Sequence, residues 1–356
     1  MLVLTFWLAA SHAIAAGDYL SYLSNNPPWN NYLPPNYDIV KKKGDAAFYW
    51  SSEADPESID DHRLVMREPY IIIKPSSTVE VERKTNSGLV IYKSKYTVDN
   101  MSRRLTPIKK EEIDSRRNLI FVGGSFTFGT GLADDETFPY YFSQYRPNFN
   151  VFNMGIYGAG ANDILDDMRS FARFNDIPKS GGIVFYTALF DHIEKSVCQL
   201  GCYTTPGRKS VLKKSNYQYD PVSQGLVNRG SFETSQPITT IIFDLLSKIG
   251  LIDTISIPFK LTDDRIELYV MMISEMKKTA QDRLKADFYF TMYPGYYENW
   301  DRIKPFLKKY GIKYLDLSKM DFKTATNNRH SLVYDGDPTP LSNYLFASLI
   351  HHQLPK

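Results

Sequence analysis

Beyond Arg117 the sequence alternates short apolar runs with longer segments of helical spacing. The runs that predict strands are 118–122, 150–153, 183–187, 286–292 and 313–317, and the helical segments are 164–174, 263–284, 300–310 and 341–354. Such alternation is typical of a parallel sheet that helices cover on both faces. We therefore expect an α/β domain over residues 117–356. Residues 203–260 lack a clear period and contain several Pro and Gly, so we expect an insertion over the functional site there.

The chain before this domain divides into two parts. Residues 1–16 hold an apolar run followed by small residues, which predicts a signal peptide and a periplasmic or secreted protein. No Lys or Arg precedes Lys41, so an uncleaved anchor and a buried N-terminal helix stay open as alternatives. Residues 17–116 contain Pro-Pro pairs and then short β-rich runs between 68 and 101. They predict an extended strap and a small antiparallel β-module that packs on the following domain.

Composition argues against disorder and against nucleic-acid binding. Of the 356 residues, 43% are hydrophobic and 23% are charged, as in soluble globular proteins. The net charge of +2 is too small to hold a polyanion, so we expect no nucleic acid as a partner. The two cysteines, Cys198 and Cys202, predict a small-loop disulfide, with two free thiols as the alternative. Cys and His do not recur at ligand spacing, so we expect no metal.

A serine follows the first predicted strand of the domain. The strand runs into Gly123-Gly124-Ser125, which places Ser125 at the carboxyl end of a parallel strand, where open α/β sheets bind ligands. If Ser125 begins a helix there, its own amide can help to bind a developing oxyanion. The alternative interpretation is a serine that only caps a helix after a glycine turn.

Three ordered blocks within residues 117–356 resemble the GDSL/SGNH hydrolase family. They are Gly123-Gly-Ser-Phe-Thr-Phe-Gly129, Asn153-Met-Gly-Ile-Tyr-Gly158 and Tyr334-Asp-Gly-Asp-Pro-Thr-Pro-Leu-Ser-Asn343. The resemblance implies a flavodoxin-like SGNH three-layer sandwich with a parallel sheet. It also implies that Ser125 is a nucleophile and that the amides of Ser125 and Gly158 form an oxyanion hole. The substrate implied is an ester, commonly an O-acylated glycan or a lipid, and no cofactor is implied.

Two departures from the family concern the support of the serine. Gly124 stands where the family signature normally has aspartate. The third predicted strand and its continuation also lack the Asn side chain that the family usually supplies to the oxyanion hole. Asn162, four residues after Gly158, is a candidate for that role, and a helix N-cap is the alternative.

The third departure concerns the base. When Pro338 is aligned with the family's proline, Asp335 matches the usual aspartate and Asp337 stands where the catalytic histidine is expected. A carboxylate with a reference pKa of about 4 accepts a serine proton poorly, whereas imidazole at about 6.5 suits neutral pH. His192, at the end of the third strand, is our preferred replacement, with a structural histidine as the alternative. Asp337 could instead act as the base if Asp335 raises its pKa. The other histidines considered are His330, His351 and His352.

Two functional hypotheses follow. The first is an exported serine ester hydrolase or acyltransferase that forms an acyl-Ser125 intermediate on a small-molecule or glycan ester. The second is a catalytically silent protein of the same fold that binds a glycan or a lipid in the cell envelope. The presence of Ser125, Gly129 and Gly158 favours the first hypothesis, and the missing histidine favours the second. The tyrosines that would suit sugar stacking are Tyr157, Tyr186 and Tyr293 to Tyr297.

Overall fold

The computed structural model describes residues 64–354 with eight gaps. The gaps are 68–69, 85–89, 107–115, 198–208, 252–259, 296, 327–329 and 333–335. The predicted signal peptide and strap, both cysteines and Asp335 lie outside the described residues, so the inferences about them stay predictions. None of the described helices is both long enough and apolar enough to span a bilayer.

The described strands form one parallel sheet and three antiparallel pairs. They are β1 (Leu64–Arg67), β2 (Tyr70–Ile73), β3 (Thr78–Lys84), β4 (Val90–Thr97), β5 (Arg117–Gly123), β6 (Phe149–Asn153), β7 (Gly182–Ala188), β8 (Ser215–Asp220), β9 (Gly225–Ser231), β10 (Ala286–Met292) and β11 (Lys313–Asp316). The antiparallel pairs are β1 with β2, β3 with β4 and β8 with β9. The five parallel strands lie in the order β6-β5-β7-β10-β11. Numbered within the sheet this is 2-1-3-4-5, the flavodoxin-like order, so the expected α/β fold is confirmed.

Helices cover both faces of the parallel sheet. They are α1 (Ser125–Phe128), α2 (Phe138–Tyr145), α3 (Ala161–Ser170), α4 (Phe190–Ser196), α5 (Lys209–Leu212), α6 (Phe232–Ser235), α7 (Pro237–Lys248), α8 (Asp263–Leu284), α9 (Tyr297–Lys309), α10 (Phe322–Ala325) and α11 (Pro340–Gln353). Ile120 and Val122 of β5 belong to the core formed with α3, α8 and α9. Leu119 and Phe121 belong to the opposite core, formed with α2 and α11. Because successive strand residues point to opposite faces, the continuous apolar run of β5 fills both layers.

The predicted helix at 164–174 is displaced in the structure. α3 begins at Ala161 and ends at Ser170, and a separate 3₁₀ turn follows at Ala172–Phe174. Phe171 separates the two with a φ of 60°, a left-handed conformation that ends an α-helix. The predicted bounds of α8 and β10 are confirmed at both ends.

The insertion is more regular than the sequence suggested. Its described part contains the β8–β9 hairpin and helices α5 to α7. Tyr217 of β8 is buried in the sheet core, and its side chain is hydrogen-bonded to Asp166 of α3. The segment lacks a clear period because the burial that orders β8 comes from α3, and its role as an insertion over the functional site stays a prediction.

The β3–β4 pair packs on the α/β domain through two buried arginines that follow β4. Arg103 contacts both carboxylate oxygens of Asp176, at 2.7 and 2.8 Å. Arg104 is 1% exposed and bonds Asp134 at 2.7 Å. It also donates to the backbone carbonyls of Phe128, the last residue of α1, and of Gly129 and Leu132 just after it. The expected packing of the β-module on the next domain is confirmed, and it fixes the far end of α1.

Candidate active site

Ser125 lies at the point where the chain reverses the order in which it adds strands to the sheet. It is the first residue of α1 and follows β5 through Gly124, with its side chain partly exposed. The chain runs from β5 to β6 on one side, whereas β7 continues to β10 and β11 on the other. The loops beyond β5 and β7 therefore diverge and leave a crevice at the carboxyl edge of the sheet. Ser125 stands where the sequence places it, and its role as a nucleophile stays a prediction.

Two backbone amides beside this crevice lack an acceptor among the described backbone groups. The N–H of Ser125 belongs to the first turn of α1, where helical amides have no partner within the helix. The N–H of Gly158, in the loop after β6, donates to no carbonyl of the described residues. Ile156 donates its N–H to the Gly123 carbonyl at 3.0 Å, which holds this loop against the end of β5. Two fixed amide donors next to a serine can stabilise a developing oxyanion.

His192 lies directly against the backbone of Gly124. It belongs to α4, which follows β7, and it is 1% exposed. A Cβ atom at position 124 would collide with His192 Nε2 and would lie 3.2 Å from Cε1 of the same ring. The glycine that departs from the family signature therefore has a physical reason in this chain, because the imidazole occupies the space that a side chain at position 124 would need.

The other nitrogen of the His192 ring is held by two buried tyrosines. Nδ1 lies 3.1 Å from the hydroxyl of Tyr186 in β7. Tyr269 of α8 donates its hydroxyl to that of Tyr186, also at 3.1 Å. Burial lowers the pKa of His192 to about 4, although nearby Asp191 acts in the opposite direction. Burial also raises the pKa of both tyrosines, so all three groups are neutral at pH 7.

Asn162 has structural partners in the insertion and in α4. Its Nδ2 donates to the carbonyl of Ser215 at 2.8 Å, and its Oδ1 lies 3.3 Å from Ser196 Oγ. Ser196 Oγ also accepts from the N–H of Ala161 at 2.7 Å, which ties α4 to the start of α3. Gly160 is the N-cap of α3, so the interpretation of Asn162 as an N-cap is wrong. A contact between Asn162 and an oxyanion stays a prediction.

Lys214 supports the Gly158 loop, and the sequence analysis missed it. Its side chain is buried, donates to the Gly158 carbonyl at 3.0 Å and forms an ion pair with Asp163. Asp163 also accepts the N–H of Gly160 at 2.7 Å. Burial lowers the pKa of Lys214, and the charge of Asp163 opposes that shift. In the sequence, Lys214 follows another lysine in a polar stretch, so it looks like an ordinary surface residue.

Asp337 lies near the aromatic residues that flank α1. It is 7% exposed, and its charge adds to burial in raising the pKa of Tyr293 and of Tyr96. The Tyr293 ring packs edge-on against Phe126, with centroids 4.8 Å apart, and the Tyr96 ring packs against Phe128 at 5.2 Å. Asp337 thus lies near two tyrosines that pack on α1, and its predicted partner Asp335 lies outside the described residues.

Of the other histidines considered as the base, His330 contacts the start of α11 and His351 lies near its end, and a role for either as the base stays a prediction. The carbonyl of His330 accepts from the Thr339 N–H at 3.3 Å and from Ser342 Oγ at 2.6 Å, at the start of α11. His351 stacks on Tyr145 at the end of α2, with ring centroids 5.1 Å apart. Within the described residues, no three His, Cys, Asp or Glu side chains are grouped so that they could hold a metal ion.

Two of the tyrosines considered for sugar stacking are in the core. Tyr186 and Tyr293 are buried, so the expectation that they stack on a saccharide is wrong. Tyr157, next to Gly158, is partly exposed.

Neither the family models nor the curated proteins that were searched match this chain. Among solved structures it is similar to a lipolytic protein of the G-D-S-L family from Desulfitobacterium hafniense, with 14% identity, a TM-score of 0.37, and 67% of this chain and 100% of that chain covered. A member of the lipolytic protein G-D-S-L family from Veillonella parvula is 11% identical with a TM-score of 0.37, and the match covers 65% of this chain and 95% of that chain. An acetyl xylan esterase from Butyrivibrio proteoclasticus is 10% identical with a TM-score of 0.33, and the match covers 69% of this chain and 64% of that chain. These TM-scores are below 0.5, so the fold assignment rests on the strand order.

Proposed function

We propose that this chain is a serine ester hydrolase that works through an acyl-Ser125 intermediate. The observation that carries the proposal is a partly exposed serine at the switch point of the sheet, on the first turn of a helix, beside the amide of Gly158. Fixed dipoles in such a crevice stabilise an oxyanion without reorganising during the reaction. The three sequence blocks that resemble the GDSL/SGNH family support an ester as the bond that is cleaved.

The reaction proceeds in two transfers. Ser125 Oγ attacks the ester carbonyl carbon, its proton passes to a base, and the amides of Ser125 and Gly158 bind the resulting oxyanion. The bond from that carbon to the alcohol oxygen then breaks, and the base returns the proton to the departing alcohol. Water attacks the acyl-serine in the same way and releases the carboxylic acid. His192 and Asp337 are the two candidates for the base.

The substrate class that we propose is an O-acylated saccharide. The family resemblance implies an ester, commonly of a glycan or a lipid, and the partly exposed Tyr157 next to Gly158 favours the glycan because it offers an aromatic surface on which a sugar can stack. Export to the periplasm or the medium, proposed from residues 1–16, would bring the protein to such substrates.

Labelling with a fluorophosphonate tests the proposal, because this reagent requires an activated serine. We expect wild type to gain one adduct on Ser125, identified by peptide mass, and to hydrolyse p-nitrophenyl acetate. Ser125→Ala, the matched control, should remain unlabelled and should not exceed the rate in buffer. Equal hydrolysis by wild type and Ser125→Ala contradicts the proposal.

A second candidate is a silent protein that binds an acylated glycan or a lipid without turning it over. The presence of Asp337 where the family has histidine favours it, because a carboxylate is the weaker acceptor for a serine proton. The same labelling experiment separates the two candidates. An unlabelled wild type together with a labelled Asp337→His variant identifies the silent protein.

A further inference from the structure

We propose that His192 serves the reaction as a hydrogen-bond donor and not as a base, with its Nε2–H joining the amides of Ser125 and Gly158 around the oxyanion. This inference rests on the proposed function and assigns a further catalytic residue to it. Four observations carry it: the hydrogen-bond chain behind the ring, the burial of the ring, its contact with Gly124 and the anchoring of α4.

The hydrogen-bond chain behind His192 determines which ring nitrogen carries the proton. Tyr269 donates to the Tyr186 oxygen, so the single hydrogen of Tyr186 remains to be placed. When Tyr186 donates it to His192 Nδ1, every hydroxyl hydrogen of the buried chain has an acceptor. The opposite tautomer, with a proton on Nδ1, leaves the hydrogen of Tyr186 buried and unpaired, which is costly. The favoured tautomer therefore has its proton on Nε2 and no lone pair there to accept another.

The surroundings of His192 keep the ring neutral. The charged groups that face it are Asp191 and Lys195 from its own helix and Lys214 from the insertion. Asp191 alone favours the charged imidazole, and burial outweighs it. A neutral N–H donor suits an oxyanion hole, because it stabilises the charge without giving its proton away.

The Nε2 atom lies among the atoms that frame the crevice. A Cβ atom at Gly124 would collide with Nε2 and would lie 3.2 Å from the carbonyl oxygen of Ala159. Nε2 therefore lies against Gly124, the residue before Ser125, and the carbonyl of Ala159, the residue after Gly158, faces the same space. Within the described residues Nε2 has no hydrogen-bond partner of its own, so its donor is available to a ligand.

The position of the ring is also fixed. Ser196 Oγ donates to the His192 carbonyl at 2.6 Å and accepts the N–H of Ala161. These bonds connect α4 to α3 just beyond the Gly158 loop. With His192 assigned as a donor, proton transfer from Ser125 falls to Asp337, whose neighbours Tyr293 and Tyr96 pack on α1.

The tautomer can be read directly on the full chain with ¹⁵N-labelled histidine by long-range ¹⁵N–¹H NMR at pH 7. His192→Gln identifies the resonances of His192. We expect a proton on Nε2 and none on Nδ1. A neutral ring protonated on Nδ1 overturns the proposal.

The contribution to catalysis is measured as the rate at which fluorophosphonate modifies Ser125, because the phosphoryl oxygen occupies the oxyanion position. We expect His192→Leu to lose about 10²- to 10³-fold, the usual effect of removing one oxyanion donor. His192→Gln keeps an N–H donor but cannot act as a base, so it should retain a faster rate than His192→Leu. Tyr186→Phe keeps the shape of the core but releases Nδ1, and should lose roughly tenfold.

Three outcomes of the rate measurement decide against the proposal. Equal rates for His192→Leu and wild type, or equal losses in His192→Gln and His192→Leu, overturn the donor role and leave Ser125 as the nucleophile. Absence of modification in wild type overturns the proposed function and the donor role with it. Thermal unfolding of each variant identifies any loss of rate that comes from misfolding. Tyr186→Phe removes only the hydroxyl beside His192 Nδ1, so it tests the hydrogen-bond chain without changing the packing of the core.

Discussion

His192 and Asp337, the two side chains proposed to act with Ser125, lie in different environments. On the side of His192, a chain of hydrogen bonds connects the imidazole to β7 and α8, and Gly124 leaves the ring against the backbone. Asp337, in contrast, is a buried carboxylate near Tyr293, whose ring packs on Phe126 of α1. Fixed neutral dipoles suit the stabilisation of a negative charge, whereas an ionised carboxylate has no proton to donate and can act only as an acceptor, a weaker one than imidazole. The difference indicates that the donors and the acceptor of the proposed reaction are held in different environments.

The largest expected effect comes from placing an imidazole on the Asp337 side. Asp337→His should raise the kcat/KM for p-nitrophenyl acetate by about 10²- to 10⁴-fold, the usual contribution of a matched general base. Asp337→Asn, the control, has no acceptor of comparable strength and should not exceed wild type. If Asp337→His is no faster than wild type, Asp337 does not occupy the position of the base, and its proposed role as the proton acceptor is wrong.

The second prediction concerns the support of the His192 side by the insertion. Lys214→Met leaves the buried charge of Asp163 unpaired and should lower the free energy of unfolding by about 3–5 kcal/mol. Urea denaturation measures the loss. Lys213→Met, an exposed neighbour, should change it by no more than about 0.5 kcal/mol. Equal effects of the two variants would show that the insertion does not support the Gly158 loop.

The third prediction concerns the pH dependence of stability that comes from His192. His192 stays neutral in the folded protein down to about pH 4, whereas an unfolded chain takes up this proton near pH 6.5. The contribution of neutral His192 to the free energy of unfolding is therefore fully present above pH 6.5. It is lost as pH falls from 6.5 toward 4, by about 3 kcal/mol at most. His192→Gln should show a smaller decrease in unfolding free energy between pH 7 and 4. Parallel curves for wild type and His192→Gln would indicate that the imidazole is not held neutral.

The smallest expected effect tests the contact between position 124 and the imidazole. Gly124→Ala should cost about 1–3 kcal/mol of stability, as overpacking usually does, because the new Cβ collides with His192 Nε2. On a His192→Ala background the same change should cost less, since the ring is gone. Additive costs in this cycle would show that the two positions do not interact.

Much of the fold was predictable because its signals are local. The bounds of α8 and β10 follow from periodicity and flanking charges, and the glycines after β5 indicate the turn that leads to Ser125. The β8–β9 hairpin was missed because its buried face is created by α3 and not by its own alternation. Lys214 was missed for a similar reason, since its partner Asp163 lies 51 positions earlier in the chain.

The sequence by itself determined the α/β architecture, the position of Ser125 after the first parallel strand and the departure of Asp337 from the family pattern. Only the tertiary structure decided how the serine is surrounded. It placed Tyr269 on Tyr186, 83 positions apart, and the His192 ring on Gly124. The physical reason is that hydrophobic periodicity is carried by neighbouring residues, whereas the protonation and hydrogen bonding of a buried side chain depend on groups that meet only when the sheet and its helices have packed.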